Sequence, residues 1–293
     1  MNKSLKNRMA VLIFTLPALI IFTVVVCYPI IQTLTKSLYD WDGFSTPKFI
    51  LFHNYARLFN DSVFLTAVKN GLIFAAVLVV YQIGLGTTFA LILLNKKLRF
   101  KKFFRSSFFI PVVLSISVVC QLWVNIFNPE RGLLNKLFEI LGSGFRQEWL
   151  YGQNSSIFAI AFTNGWQYLG IIMVLMYTAA KSIPEHYFEA ALIDGATPAQ
   201  THFLITVPLL AESFKFCLII AITGGLTAFS NMFIMTNGGP GTFTYTLTYM
   251  MFKSAFVTNE FGYACTSATV LVAECLLATV LINRFVAREN ITY

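Results

Sequence analysis

The chain has 293 residues, of which 57% are hydrophobic and only 12% are charged. Soluble domains carry about 25% charged residues, so this composition excludes an ordinary soluble enzyme and favours a polytopic membrane protein. The formal net charge is +8. In a membrane protein such an excess is expected to lie at the cytoplasmic face, so nucleic acid is not a predicted partner.

Six apolar blocks are each long enough to cross a bilayer as a helix. No polar region between them is long enough to fold separately, so residues 1–293 are predicted to form one all-α transmembrane domain. Six spans place both termini on the side that holds the dense basic stretch at residues 95–105, which the positive-inside rule assigns to the cytoplasm. That stretch is interpreted as a topology anchor on anionic membrane lipid. The predicted spans are residues 9–31, 71–94, 106–127, 157–180, 214–235 and 263–285.

A polar loop, residues 181–208, interrupts the second half of the chain between the fourth and fifth predicted spans. Residues 182–185 (SIPE) and 197–200 (TPAQ) each fit the capping-box pattern that begins a helix. Gly195, between them, suits the left-handed conformation that ends one. The loop is therefore predicted to form two short helices with a turn at Gly195, and Pro208 is predicted to end or restart the helix that leads into the fifth span.

Capping signals alone equally allow an ordinary amphipathic loop on the membrane surface, but the order of residues is more specific. Glu189-Ala190-Ala191 is followed after three residues by Gly195, after nine more by Ile205, and then by Pro208. This order resembles the EAA loop of the permease subunits of ABC importers, with Val207 where the family pattern has leucine.

Other motifs resemble the carbohydrate branch of the same family, which includes the larger permease subunits of maltose, multiple-sugar and glycerol-3-phosphate importers. Together they cover most of residues 106–285, whereas the first hundred residues resemble the family mainly in layout. The motifs are NGWQ at 164–167, SIP at 182–184, GLLN at 132–135 and MTNGGPG at 235–241.

The resemblance implies a type I ABC importer permease fold in the plasma membrane of a prokaryote. It also implies four kinds of partner: a second, homologous permease subunit, two cytoplasmic ATPase subunits, an extracytoplasmic solute-binding protein and a sugar. The loop would contact the ATPase and carry its motion to the membrane helices. The resemblance assigns this coupling role to Glu189, Ala190, Ala191, Asp194, Gly195, Ile205 and Pro208.

The sequence contains no GxxxxGK[ST] phosphate loop, so the chain is not expected to bind ATP as a motor does. It also lacks the residue order of a hydrolase triad, and its histidines lack metal-ligand spacing. We therefore predict no catalytic residue, no metal and no cofactor on this chain, with ATP and Mg²⁺ held by the partner ATPases.

A sugar path needs groups that bond hydroxyls and aromatic faces that cover C–H surfaces. Polar and aromatic residues in the third to fifth predicted spans can supply both, although each is also of a type that joins neighbouring helices. Either permease subunit could hold the sugar. The candidate path residues are Gln121, Asn125, Asn164, Trp166, Gln167, Tyr168, Thr227, Phe229 and Asn231.

Two alternatives remain open from the sequence. The first is an importer for another small polar solute such as glycerol 3-phosphate, which would call for a cationic path residue, and none stands out within the spans. The second is a secondary transporter that uses Glu274, an acid near the middle of the sixth span. That class leaves the EAA-like loop unexplained, and a protonated or hydrogen-bonded structural Glu274 that faces neighbouring helices is the simpler interpretation.

Overall fold

The computed structural model describes residues 8–95, 98–153 and 155–286, and within these ranges the chain is almost entirely helical. One antiparallel pair of two-residue strands, β1 (Tyr39–Asp40) and β2 (Lys48–Phe49), is the exception to the predicted all-α class. The helices are α1 (Arg8–Phe22), α2 (Tyr28–Lys36), α3 (His53–Phe59), α4 (Ser62–Leu78), α5 (Gly86–Leu94), α6 (Lys101–Val113), α7 (Ile116–Ile126), α8 (Leu133–Ile140), α9 (Ser156–Lys181), α10 (Glu185–Ile193), α11 (Pro198–Thr201), α12 (Val207–Leu209), α13 (Ala211–Leu226), α14 (Ser230–Met235), α15 (Leu247–Phe256) and α16 (Phe261–Phe285).

Three π-helical segments join helices without a break in the helical path. They are Thr23–Cys27 between α1 and α2, Val79–Leu85 between α4 and α5, and His202–Thr206 between α11 and α12. Such wide turns are rare and occur often at functional sites.

Four helical stretches in the described part of the chain are long and apolar enough to cross a membrane. Two further pairs of helices qualify only if each bent pair counts as one span, with bends of 99° and 67°. The described part of the chain therefore contains four to six candidate membrane spans. The predicted number of six is reached when each bent pair counts as one span. The four stretches are Val11–Lys36, Ser62–Leu94, Ser156–Lys181 and Phe261–Phe285, and the pairs are Lys101–Val113 with Ile116–Ile126 and Ala199–Leu209 with Ala211–Leu226.

The described residues form two compact units. The first contains those up to Asp61 together with Met250–Val270. In it, the Asn54 amide donates to the backbone oxygens of Ser37 and Tyr39 at 3.1 and 2.9 Å. These bonds fix the end of α2 and the first strand onto α3.

The second unit contains Ser62–Tyr249 and the described residues from Leu271 onward. Its core lies where α5, α9 and α13 meet, and Met173, Met176 and Cys217 are almost completely buried there. The long helix α9 is the centre of this unit, since it packs against helices that precede it and helices that follow it.

The structure breaks the third and fifth predicted spans, residues 106–127 and 214–235. The 67° bend of the second pair lies between Leu209 and Ala211, just after Pro208, where the sequence predicts that the helix ends or restarts. The backbone is extended at Leu114 and Ser115, between α6 and α7, and the freed Leu114 oxygen accepts a bond from Gln167 at 3.1 Å. A further break ends α13 at Leu226, and α14 begins only at Ser230. Non-helical backbone at membrane depth is tolerated when protein groups satisfy it, and here buried side chains do so.

Gly170 allows α9 to lie against α6. A Cβ at this position would collide with the backbone oxygen of Phe108. We expect Gly170→Ala to lower the free energy of unfolding by about 1–3 kcal/mol through overpacking, measured as thermal stability of the purified protein in detergent. Gly84→Ala is the matched control, because a Cβ there meets nothing within 4 Å. Equal stability of the two variants would contradict the close packing.

Candidate functional site

A cavity of about 440 Å³ lies inside the second unit, at the break between α13 and α14. Its walls come from α4 and the π segment after it, from α7, α9, α13 and α14, and from the broken backbone. None of the described residues that line it carries a formal charge. Its polar atoms are side-chain amides, hydroxyls and the backbone around the break, and these are groups that exchange neutral hydrogen bonds.

Buried amide side chains form a chain along one wall of this cavity. Asn164 Nδ2 donates to Asn231 Oδ1 at 3.0 Å, and Gln82 Nε2 donates to Asn164 Oδ1 at 3.5 Å. The three residues are 8%, 1% and 4% exposed in the order Asn164, Asn231, Gln82. Because a buried amide without partners is costly, this chain holds the π segment, α9 and α14 in a fixed relation around the cavity.

Gln82 is not among the path residues predicted from the sequence. This residue lies in the π segment Val79–Leu85 within a long apolar helix, so it did not stand out among the candidates of the third to fifth spans. A π segment rotates the residues that follow it relative to a regular α-helix, and functional side chains often occur there. Polarity within an apolar block, the criterion that selected Asn164, would also have selected Gln82.

The structure brings five of the nine candidate path residues to the cavity and directs the other four elsewhere. Gln167 is buried, but its amide satisfies the Leu114 oxygen. Trp166 packs edge-on against Trp123 at 5.6 Å between ring centroids. Gln121 and Asn125 are exposed and bond to each other within α7, from Asn125 Nδ2 to the Gln121 oxygen at 2.9 Å. The five lining residues are Asn164, Tyr168, Thr227, Phe229 and Asn231.

The break itself is held by threonines that lie further along the chain. The Ala228 oxygen accepts bonds from the hydroxyls of Thr246 and Thr248 at 3.1 and 2.6 Å. The ring of Phe229, next to it, stacks on Phe233 with 5.3 Å between centroids. The broken backbone is therefore a fixed wall of the cavity.

The polar loop forms the predicted helix, turn and helix. Gly195 has φ +75°, in the left-handed region. The Ala196 N–H donates to the Ala191 oxygen at 2.9 Å, and the Gly195 N–H donates to the Leu192 oxygen at 3.1 Å. These two bonds define a Schellman motif, which ends α10 and confirms the predicted turn.

The two predicted capping boxes have different outcomes. The box at residues 197–200 is confirmed, since the Gln200 carboxamide oxygen accepts from the Thr197 N–H at 2.8 Å and the Gln200 N–H donates to the Thr197 hydroxyl at 3.4 Å. The box at residues 182–185 is wrong. Ser182 is instead the C-cap of α9, where its hydroxyl donates to the Ala179 oxygen at 2.7 Å.

The first loop helix, α10, has one anchored face and one exposed face. Tyr187 and Phe188 pack against the core cluster of the second unit, beside buried Ile183. Near the C-terminal end of α10, Leu192 and Ile193 are 76% and 86% exposed. Adjacent exposed apolar side chains are typical of surfaces that contact another protein or a membrane.

The residues with a predicted coupling role are distributed over this loop. Glu189, Ala190, Asp194 and Gly195 are exposed, whereas Ala191 is buried against the unit. The remaining two lie beyond the turn: Ile205 is half-buried in the π segment His202–Thr206, and Pro208 is exposed in α12.

Glu274 lies within α16 and does not line the cavity. Its side chain is half-buried, and no hydrogen bond or ion pair joins it to another residue of the described part of the chain. The position gives it no direct access to the amide chain.

The fold and these two features define a class of protein. Several apolar helices surround a cavity lined by uncharged side chains that include buried amides, and a helical loop anchored on the same helices has an exposed face. This is the architecture of a membrane transport component that works in a complex.

Comparison with known proteins identifies the family. Residues 82–290 match the family described as binding-protein-dependent transport system inner membrane component. The chain belongs to this family, which confirms the resemblance carried by the EAA-like loop.

Relatives match over nearly the whole chain. The probable ABC transporter permease protein YurN of Bacillus subtilis is 36% identical over 283 residues, covering 96% of this chain and 97% of its own. The multiple sugar-binding transport system permease protein MsmF of Streptococcus mutans is 34% identical over 260 residues, covering 88% of each. The match over nearly full length makes this chain an ABC transporter permease.

A chain in the crystal structure of a bacterial alginate ABC transporter, solved in complex with an alginate pentasaccharide-bound periplasmic protein, shares this fold. The TM-score is 0.82 at 20% sequence identity, covering 96% of this chain and 95% of that one. The predicted ABC importer permease fold is thereby confirmed.

Proposed function

We propose that the chain is one of two non-identical membrane subunits of a sugar importer, and that it receives mechanical work through loop 181–208. One observation carries the proposal: α10 exposes Leu192 and Ile193 while Tyr187 and Phe188 fix it to the membrane helices. A force applied to the exposed face is therefore transmitted to α5, α9 and α13, the helices that form the core of the second unit.

Four kinds of partner follow from this role. Two cytoplasmic ATPase subunits bind and hydrolyse ATP with Mg²⁺, and one of them contacts the face that includes Glu189. A second, homologous permease completes the path, and an extracytoplasmic binding protein delivers the solute. This chain itself holds no cofactor and performs no covalent chemistry. ATP-driven closure of the ATPase pair draws the loops together and turns the cavity outward, and hydrolysis resets it.

The cavity supports a neutral sugar as the solute. Amide groups of Gln82, Asn164 and Asn231 offer donors and acceptors for hydroxyls, and the rings of Tyr168 and Phe229 offer surfaces for C–H groups. Glycerol 3-phosphate is disfavoured, because a buried phosphate needs a cationic partner and the described lining has none.

Competition in the assembled importer tests the solute class. We expect neutral di- and oligosaccharides to compete for uptake and glycerol 3-phosphate to have no effect, measured with radiolabelled sugar in proteoliposomes. Inhibition by glycerol 3-phosphate would overturn the choice of a neutral solute.

Uptake that survives Glu274→Gln would separate this function from a secondary transporter driven through that acid.

Membrane topology belongs to the same proposal: six spans with both termini in the cytoplasm. The loop between β1 and β2 then faces outward and α10 faces inward. In a cysteine-free background, an impermeant maleimide should label Ser45→Cys in intact cells and should label Ala190→Cys only after the cells are broken. Labelling of both from outside would contradict this orientation.

A further inference from the structure

Part of the basic stretch at residues 95–105 lines a second, larger cavity, which also borders loop 181–208. This cavity has a volume of about 1040 Å³. Lys101, the first residue of α6, lines it, and so does Lys181, the last residue of α9. Two lysine side chains from different helices therefore line the same cavity.

A third cation joins them through an aromatic ring. Tyr177 lines the cavity, and its ring centroid lies 5.7 Å from Lys181 Nζ and 5.8 Å from Arg105 Cζ. Glu185 is the one acidic side chain among the described residues of the lining. Arg105 is not part of the lining but contacts it through Tyr177, and together with the two lysines it gives this region an excess of positive charge that favours an anion.

The cavity also lies where three helices end. Helix α5 ends at Leu94, α6 begins at Lys101 and α9 ends at Lys181, and all three helix ends border it. Long apolar helices end where the hydrocarbon gives way to lipid headgroups. The Asn95 amide and the Ser182 hydroxyl add polar groups to the same lining.

We propose that this cavity binds the phosphate group of an anionic membrane phospholipid. Lysine ammonium groups are point charges suited to phosphate oxygens, and basic pockets between helices at the membrane surface hold acidic headgroups. A soluble phosphate offers the same chemistry, but the position at three helix ends favours a lipid. Occupancy would tie α6 to α9 directly beside the start of the loop that receives the ATPase.

The test uses the complete importer, purified in detergent and titrated with phosphatidylglycerol, with bound lipid counted by native mass spectrometry. We expect Lys101→Gln and Lys181→Gln to weaken binding about fivefold each and the double variant about 30-fold. Lys102→Gln is the matched control, since Lys102 has the same charge on the same helix but is exposed outside the cavity lining. The Lys102→Gln variant should bind phosphatidylglycerol with the same affinity as the unaltered protein.

Further measurements distinguish a membrane lipid from a soluble phosphate as the ligand and control for misfolding of the variants. Replacement of both lysines by arginine keeps the charge and should preserve binding, whereas phosphatidylcholine should not bind the site in any variant. Equal affinity of the double glutamine variant and the Lys102→Gln control would overturn the proposal. Displacement of the lipid by millimolar inorganic phosphate would also overturn it, in favour of a soluble ligand.

Discussion

Replacement of Gly195 by valine is expected to separate ATP hydrolysis from transport in the assembled importer. Gly195 has φ +75°, a conformation that costs a residue with a Cβ about 1–2 kcal/mol. The Schellman turn would shift to relieve this strain and carry the exposed face of α10 with it. We expect uptake to fall about tenfold while ATP hydrolysis continues, both measured in the same proteoliposomes.

A matched control is available in another loop. Gly142 has φ +72° and, like Gly195, has no heavy atom within 4 Å of an added Cβ. Gly142→Val therefore introduces the same backbone strain away from loop 181–208, and transport should stay coupled.

The charge on the exposed face gives an independent test of the same surface. Glu189→Lys reverses the charge of an exposed side chain on α10 and is expected to weaken retention of the ATPase during purification while leaving membrane insertion intact. Normal uptake by both Glu189→Lys and Gly195→Val would remove the coupling role of the loop.

The second large effect is expected at the amide chain. Asn164 lies between Gln82 and Asn231, so Asn164→Leu removes a group that lines the cavity and leaves both neighbours without their shared partner. A polar group of the bound sugar that loses its partner costs about 1–3 kcal/mol, so we expect the apparent KM for sugar uptake to rise about 10- to 100-fold. The concentration dependence of uptake measures this.

Asn125→Leu is the control for that variant. Asn125 is exposed, and among the side-chain hydrogen bonds of the described chain its amide makes one, to the backbone oxygen of Gln121 in its own helix. Its loss should leave the KM unchanged, because substitutions at exposed positions away from a site have small effects. ATPase retention verifies that Asn164→Leu folds. An equal KM for the two variants would contradict the assignment of the cavity.

Features set by nearby residues could be predicted from the sequence. Long apolar runs identify the helices that cross a membrane, and the turn at Gly195 follows from a glycine after a good helix. The box at residues 182–185 failed for an equally local reason. Helix α9 continues to Lys181, so Ser182 ends that helix and is not available to begin the next one.

The breaks in the spans depend on residues far away along the chain. The extended backbone at Leu114 is satisfied by Gln167, and the Ala228 oxygen is satisfied by Thr246 and Thr248. A local pattern of hydropathy contains none of these contacts, so the sequence predicted continuous spans over residues 106–127 and 214–235 where the structure has breaks.

The sequence predicted the types of residue that line the cavity, but only five of the nine predicted positions lie there. Asn164 and Gln167 lie one turn apart on α9, yet the first lines the cavity and the second satisfies the break at Leu114. Which way an amide faces depends on how its helix is rotated against its neighbours. For Gln82 that rotation is set by a π segment, which the apolar pattern does not reveal.

The most direct test of the account is whether this chain moves solute only with a partner that hydrolyses ATP. The permease pair, its ATPase and its binding protein are reconstituted in proteoliposomes, and sugar uptake is measured with and without ATP and with the ATPase omitted. We expect co-purification with the ATPase and uptake only when all components and ATP are present. Robust uptake by the chain alone would contradict the proposed role as an ATP-dependent permease subunit.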